Sequence, residues 1–306
     1  MSYSSAVKDS SQDTVLVIGA SGLLGSKVYS CFIELNELAT YGICRTPSRS
    51  LHKNISCLDV SDYASLISFI DSLSPARIIN CLGLADIEEC EKRPEANWKL
   101  NAEIPSRLAD FTFRRGIGFV HISTDHFESK LKEARREIAD VYPVNQYGYA
   151  KFSAERIILN KNPKALVIRT NFFGFSNNAK KSLLNFAIEN LLKGNEIDGF
   201  DDVIFNPVGI SELSRFLVSD NSSAANGVLN FASERPISKY DFMLAVSKML
   251  GKPESLVKKS SISNSKFQVT RPNYLALDST RLNTEYGYYI PTIDKMLREE
   301  LAVTLG

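Results

Sequence analysis

The sequence predicts an α/β fold: a doubly wound, Rossmann-type parallel sheet with a smaller C-terminal α/β substrate domain. Three observations carry that expectation. Short apolar runs alternate with segments of helical periodicity through the first half of the chain, a glycine-rich turn joins the first run to the first helical segment, and the alternation breaks after Thr170. Strands separated by helices return to the sheet in the same direction, which makes them parallel.

In order, TVLVIG (14–19) is an apolar run ending in glycine, and residues 22–35 follow with Leu24, Val28, Phe32 and Leu35 at helical spacing. ATYGIC (39–44), NISCLD (54–59), RIINCLG (77–83), GFVHIST (118–124) and ALVIRT (165–170) are the further strand candidates. Helical patterns cover 62–73, 97–113 and 147–160. Beyond Thr170, short strands (VIFN, VLNF) mix with helices such as the one that Ser238 caps and Gly251 ends. The expected organisation is a flexible extension over 1–13, a dinucleotide-binding domain over 14–170, and a mainly substrate-binding part over 171–306 whose chain crosses back to the first.

The totals exclude several classes. A net charge of +1 over 306 residues provides no field for nucleic acid or a membrane surface. No apolar run approaches the roughly 20 residues that span a bilayer, and the serine-rich start lacks a signal peptide's apolar stretch, so the expected location is cytoplasmic. Five cysteines without CxxC spacing read as small hydrophobes in a reducing compartment, with Cys44, Cys57 and Cys81 inside apolar strand runs. Three histidines without ligand-like spacing predict no metal site.

The chemistry starts at GASGLLG. Gly19, Ser21, Gly22, Leu23, Leu24 and Gly25 lie between the first strand and its helix. There, glycine permits a tight turn and close approach of a pyrophosphate, and the helix N-terminus offers free N–H groups and a positive dipole end. An NAD site would place a carboxylate at the end of the second strand; this chain has Arg45, and Arg49 just beyond, which suit the ribose 2′-phosphate of NADPH. NADPH is the expected cofactor, with NADH as a second option. Asp59, beside Val60 at the end of the third strand, either receives the adenine amino group or caps the next helix.

The reacting groups are expected downstream. Thr124 ends a strand, at the edge where ligands sit in doubly wound sheets. Tyr147 and Lys151 are four residues apart, on one face of a helix, whereas Tyr149 points elsewhere. A carbonyl that accepts hydride needs a proton, which a phenol can give. A neighbouring ammonium would lower the phenol's pKa and hold the nicotinamide ribose, and the threonine would anchor the carbonyl oxygen.

With these motifs the chain resembles the dTDP-4-dehydrorhamnose reductase-like family of the extended short-chain dehydrogenase/reductase superfamily. The resemblance rests on GASGLLG, IINCLG, ECEKRPEANWKLN, VHISTDHF, PVNQYGYAK, IRTNFFG, FNPVGISEL, NFASERPISKYDF and RPNYLALDSTRL. It implies NAD(P)H-dependent reduction of the 4-keto group of a nucleotide-linked 6-deoxyhexose, with Thr124, Tyr147 and Lys151 catalytic. It further implies that Cys81, Leu82 and Gly83 line the cofactor, that Asp125, Asn171, Phe172, Asn206 and Arg271 meet the sugar nucleotide, and that the chain is a homodimer. Where the family usually reads STDYVFDG, this chain has STDHFESK, followed by KLKEARREIAD, whose mixed charges read as a solvated helix face. His126 reads as a loop-packing residue, Trp98 as core or interface, and the acidic ECEKRPE as a solvated helix. Two other readings stay open: an epimerase or dehydratase on the same scaffold, and a noncatalytic NADP-binding regulatory or scaffold subunit.

Overall fold

The structure is a computed structural model that describes residues 14–46, 54–175 and 182–305. The N-terminal extension and Arg49 lie outside the described residues. The first strand, β1 (Thr14–Ile18), is buried at every position. Its alternate residues face opposite sides of the sheet: Val15 and Val17 join one core cluster, Leu16 and Ile18 the other. Burial on both faces is why the strand reads as an unbroken apolar run instead of alternating. Helix α1 (Leu23–Leu35) follows, then β2 (Ala39–Cys44), β3 (Ile55–Cys57), α2 (Tyr63–Leu73) and β4 (Arg77–Asn80). Asp62 caps α2 by accepting from the Ser65 amide at 3.1 Å.

The stretch expected to be one helix over 97–113 is divided. After α3 (Ile87–Lys92), it spans the end of α4 (Pro94–Trp98), a π-helical turn (Lys99–Glu103) and most of α5 (Ile104–Arg115). Pro105 removes a backbone donor in the first turn of α5, so the ladder is re-registered there through the π turn. Then come β5 (Gly118–Ile122), α6 (Gln146–Lys161) and β6 (Leu166–Arg169).

The later elements are shorter: β7 (Phe172–Phe173), α7 (Leu183–Leu192), β8 (Ile197–Phe200), β9 (Ile204–Phe205), β10 (Val208–Gly209), α8 (Ile210–Val218) and α9 (Asp220–Ala224). They continue with β11 (Gly227–Asn230), β12 (Ile237–Ser238), α10 (Lys239–Met249), β13 (Val257–Ser260), α11 (Thr280–Tyr286) and α12 (Ile293–Leu305). Ser238 caps α10 through the Asp241 amide at 2.9 Å, and Gly251 takes a φ of 64° just past its end.

Seven strands form one sheet in the order β11-β6-β5-β4-β1-β2-β3, every pair parallel. The order reverses at β1, which opens a crevice at the carboxyl ends of β1 and β4. β11 comes from the C-terminal half and completes the sheet beside β6. β7 through β10, β12 and β13 form three two-stranded sheets, of which the β7/β10 pair packs on α8 and α12 and the others on α10. This is the doubly wound fold with a smaller C-terminal α/β part that the sequence predicts.

Lys130–Asp140 differs from expectation. It is irregular, not helical, and Arg135 within it is 2% exposed. Its guanidinium donates to the backbone carbonyls of Phe127 and, at 2.9 Å, of Asp125. Mixed charge along the sequence gave no sign that one arginine would turn inward to satisfy loop carbonyls.

One ion pair joins the two edges of this layer. Arg169, ending β6, forks onto Glu155 of α6 at 2.7 to 3.1 Å, and Ser123 donates to the same carboxylate at 2.5 Å. Both ionic side chains are at most 6% exposed. Removing one member strands a buried charge, so Glu155→Ala is expected to lower unfolding free energy by about 3–5 kcal/mol. Breaking the exposed Arg93–Glu89 pair is expected to cost about 1 kcal/mol or less. Urea denaturation of both variants is the check.

Candidate active site

The glycine turn is shaped by a close approach. A Cβ on Gly25 would lie 2.2 Å from the Gly19 carbonyl oxygen, and Gly19 itself has a φ of 86°. No side chain caps α1 at Gly22, so its first-turn N–H groups face the crevice without a side-chain acceptor. Ser21, Leu23 and Leu24 form the turn and the start of that helix. A cradle of free amides at a helix N-terminus fits a pyrophosphate.

The flanks of the cradle fit the rest of a dinucleotide. Arg45 is exposed just past β2, where a carboxylate is absent. Asp59 accepts from the Ser61 amide at 2.9 Å, and the cap of α2 is Asp62, so capping is not its task. Val60 beside it is buried. Cys81, Leu82 and Gly83 leave β4 opposite the glycine turn, with the Leu82 amide held on Asn80 Oδ1 at 3.1 Å. Burial pushes the Cys81 thiol up to about 12.

Thr124, Tyr147 and Lys151 come together at the carboxyl end of β5. Asn145 caps α6 through the Gly148 amide at 2.8 Å, which sets the helix start and so the height of Tyr147. Tyr147 contacts the Thr124 hydroxyl. The Thr124 oxygen also accepts from the His126 amide at 3.1 Å. Tyr149 is 54% exposed and packs near Trp98, with ring centroids 6.0 Å apart.

Lys151 departs from expectation. Its ammonium is turned beneath the strand end, 2.6 Å from the Ile122 carbonyl and 3.2 Å from His121 Nε2. Burial raises the pKa of the Tyr147 phenol, against the Thr124 hydroxyl, which lowers it. Burial also brings Lys151 down to about 8. His121 is fully buried, with Asn80 Nδ2 on its Nδ1 at 3.0 Å, and burial followed by Lys151 holds its pKa well below the usual range. Asn80 Oδ1 is committed to the Leu82 amide, so Nδ2 donates to Nδ1 and the imidazole proton sits on Nε2. A neutral Lys151 amine satisfies that arrangement: it accepts from Nε2–H and donates to Ile122. The sequence offered His121 only as one residue of the strand run GFVHIST.

Asp125 lies beside these groups, 3% exposed. Asn171, just before β7, donates to it at 2.9 Å. Burial raises its pKa to about 6 against Asn171, Arg135 and Lys239, which favour the carboxylate. His126 packs edge-on to Tyr147 at 5.6 Å and meets the Asn145 amide at 2.9 Å; burial first, then Lys239 and Arg271, bring it down to about 3. Lys239, at the start of α10, is lowered by burial while Asp125 opposes the shift. Sequence reasoning did not single it out, because its neighbours come from distant loops. Arg271 pairs with Glu88 at 3.1 Å and lies over the Phe267 ring at 3.6 Å. Phe172 is half-buried on β7.

Asn206 requires a correction. Its Nδ2 donates to the Ser233 and Leu277 carbonyls at 2.8 and 2.7 Å, and its Oδ1 accepts from the Leu277 amide at 3.0 Å. With both amide hydrogens committed and 2% exposure, it ties the backbone beneath the site and has no donor left for a ligand. Among the described residues no cluster of metal-ligating side chains occurs.

A doubly wound sheet with a phosphate cradle at its switch point and a threonine, tyrosine and lysine at the next strand end defines an extended short-chain dehydrogenase/reductase. Residues 13–304 match the family model described as RmlD substrate binding domain, and the chain belongs to that family. It is 25% identical over 282 residues to a Haloferax volcanii protein named probable low-salt glycan biosynthesis reductase Agl14, covering 91% of this chain and 94% of that one. It is also 24% identical over 247 residues to the methionine adenosyltransferase 2 subunit beta of Xenopus laevis, covering 78% and 73%. In three dimensions it resembles the dTDP-4-dehydrorhamnose reductase of Bacillus anthracis solved in complex with NADP, with TM-score 0.83, 20% identity and coverage of 95% and 99%. Fold and family point to an NAD(P)-dependent oxidoreductase acting on sugar nucleotides.

The Asp125 shift has a sign that can be tested. A carboxyl whose folded pKa exceeds its unfolded value makes the native state bind more protons between the two, so stability falls as pH rises through that window. The window runs from the ordinary value of 3.8 to about 6. Asp125→Asn is therefore expected to stabilise the protein by about 3 kcal/mol near neutrality, with the gain fading toward acid. Denaturant midpoints of both proteins across that range provide the measurement.

Proposed function

We propose that the protein is an NADPH-dependent reductase of the 4-keto group of a nucleotide-activated 6-deoxyhexose. The observation that carries this reading is the contact of the Tyr147 phenol with the Thr124 hydroxyl beside the carboxyl edge of β5. NADPH, when bound, would supply the hydride for the keto carbon. Thr124 donates to the keto oxygen and fixes it, and Tyr147 gives that oxygen its proton. Lys151 holds the nicotinamide ribose, which requires its amine to exchange the Ile122 carbonyl for a ribose hydroxyl; it then also bears on the phenol.

The other groups take supporting roles. Gly19, Ser21, Gly22, Leu23, Leu24 and Gly25 receive the pyrophosphate, and Arg45 receives the 2′-phosphate. Asp59 and Val60 border the adenine, while Cys81, Leu82 and Gly83 border the nicotinamide side. Asp125 with Asn171, Phe172, Lys239 and Arg271 forms the sugar-nucleotide side, where the two cations suit a diphosphate.

A second reading, a noncatalytic nucleotide-binding subunit, is favoured by one observation: Lys151 is directed away from the Tyr147 phenol. The similarity to the methionine adenosyltransferase subunit is the reason to test it.

Purified protein is mixed with NADPH and a set of nucleotide-linked 4-keto-6-deoxyhexoses, and loss of reduced-nicotinamide absorbance is followed. The expected result is turnover on one sugar, reduced about 100- to 10,000-fold in Tyr147→Phe, with NADPH affinity nearly unchanged. NADPH binding without turnover on any sugar would favour the subunit. Arg45→Glu is expected to weaken NADPH at least about tenfold and leave NADH almost unaffected, measured by fluorescence titration.

A further inference from the structure

Cys44 and Cys57 were expected to be buried hydrophobes. Cys44 is buried, but Cys57 is exposed, and their sulfurs are 3.3 Å apart. They are the last residues of β2 and β3 and direct register partners. Registered residues of adjacent strands project to the same face, and neighbouring strands lie about 4.8 Å apart. That spacing falls within the range of roughly 4.4–6.8 Å that a disulfide bridges. β3 is the edge strand and only three residues long, so its end can approach β2 without disturbing another strand pair.

We propose that Cys44 and Cys57 are a thiol-oxidation site that closes reversibly to an intrachain disulfide, with a small-molecule disulfide such as oxidised glutathione as oxidant. The exposed Cys57 sulfur, as thiolate, attacks one sulfur of the oxidant; that S–S bond breaks and a free thiolate leaves. Cys44 then loses its proton to solvent, and its sulfur attacks Cys57 Sγ, expelling the second thiol. Two protein thiols are oxidised by two electrons and one disulfide is reduced to two thiols. The order follows from access: Cys44 is 2% exposed, its S–H lies 3.4 Å from the Thr46 carbonyl, and burial with the neighbouring sulfur holds it up near about 11. Cys44 is the resolving residue and Cys57 the one that meets the oxidant.

The pair has a consequence that rests on the cofactor reading above. Arg45 follows Cys44, and Asp59 lies two residues after Cys57, so the bridge would join the supports of the cofactor's adenosine half. Drawing the sulfurs from 3.3 Å to a bonding distance of about 2.05 Å moves those supports. Bound NADPH is then expected to slow oxidation, and oxidation to weaken NADPH, because such coupling is reciprocal.

The full chain is treated with oxidised glutathione under native conditions and its intact mass and peptide map are read. Wild type is expected to become about 2 Da lighter, with Cys44 joined to Cys57, and to recover on reduction. Cys44→Ser is expected to accumulate an adduct about 305 Da heavier on Cys57, and Cys57→Ser to show neither change. Free thiols at both positions after treatment, or a bridge between another pair, would overturn the proposal. This readout does not involve turnover, so failure of the reductase reading leaves it standing.

Discussion

The contact on which the site depends is the buried amine of Lys151 against the Ile122 carbonyl. A strand that ends at a crevice has carbonyls with no further ladder partner, and a buried one must find a donor. Lys151 provides it from the second turn of α6, which fixes how that helix sits across the end of β5. Because Tyr147 is one turn earlier on the same helix, the same contact sets where the phenol stands relative to Thr124. Ser123, Glu155 and Arg169 repeat the arrangement one turn further along α6, so the helix is fastened to β5 and β6 by polar contacts in a layer otherwise packed by Ala150, Ala154 and Ile158.

Such a network has an electrostatic cost that the site uses. An amine without water is easier to deprotonate, a carboxylate harder to ionise, and a phenol likewise holds its proton. Lys151, Asp125 and Tyr147 all move in the direction burial dictates. A phenol that keeps its proton in the resting protein is a proton donor awaiting a charge, and the amine that would supply that charge once protonated is held against His121. In this physical account, the ligand that draws Lys151 off the strand end also activates the acid beside it.

How much of this was legible in the sequence depended on whether the signal was local. The strand–glycine–helix start and the Ser238 cap are set by residues within a few positions of one another, and each lies in the structure at the position expected from the sequence. Asn206 and Lys239 were not legible, because their partners lie far away in sequence, Leu277 for Asn206 and Asp125 for Lys239; the Arg135 guanidinium turns to the Phe127 and Asp125 carbonyls of its own irregular loop, which has no periodic signal. An arginine in a mixed-charge run and an asparagine after a short strand are indistinguishable, by composition alone, from solvated residues.

The same limit explains the cysteines and the divided helix. Sequence spacing of 13 residues says nothing of register, yet parallel pairing sets Cys44 and Cys57 side by side. A periodic pattern over 97–113 correctly reports one buried face, but periodicity is insensitive to a single turn that changes hydrogen-bond register at a proline. In both cases the local pattern identified the element, while the chemistry came from what the sheet or the helix ladder brought alongside it. A doubly wound sheet makes this general: every ligand-facing strand end belongs to a different stretch of chain, so the site is a property of the topology and only its separate pieces are properties of the sequence.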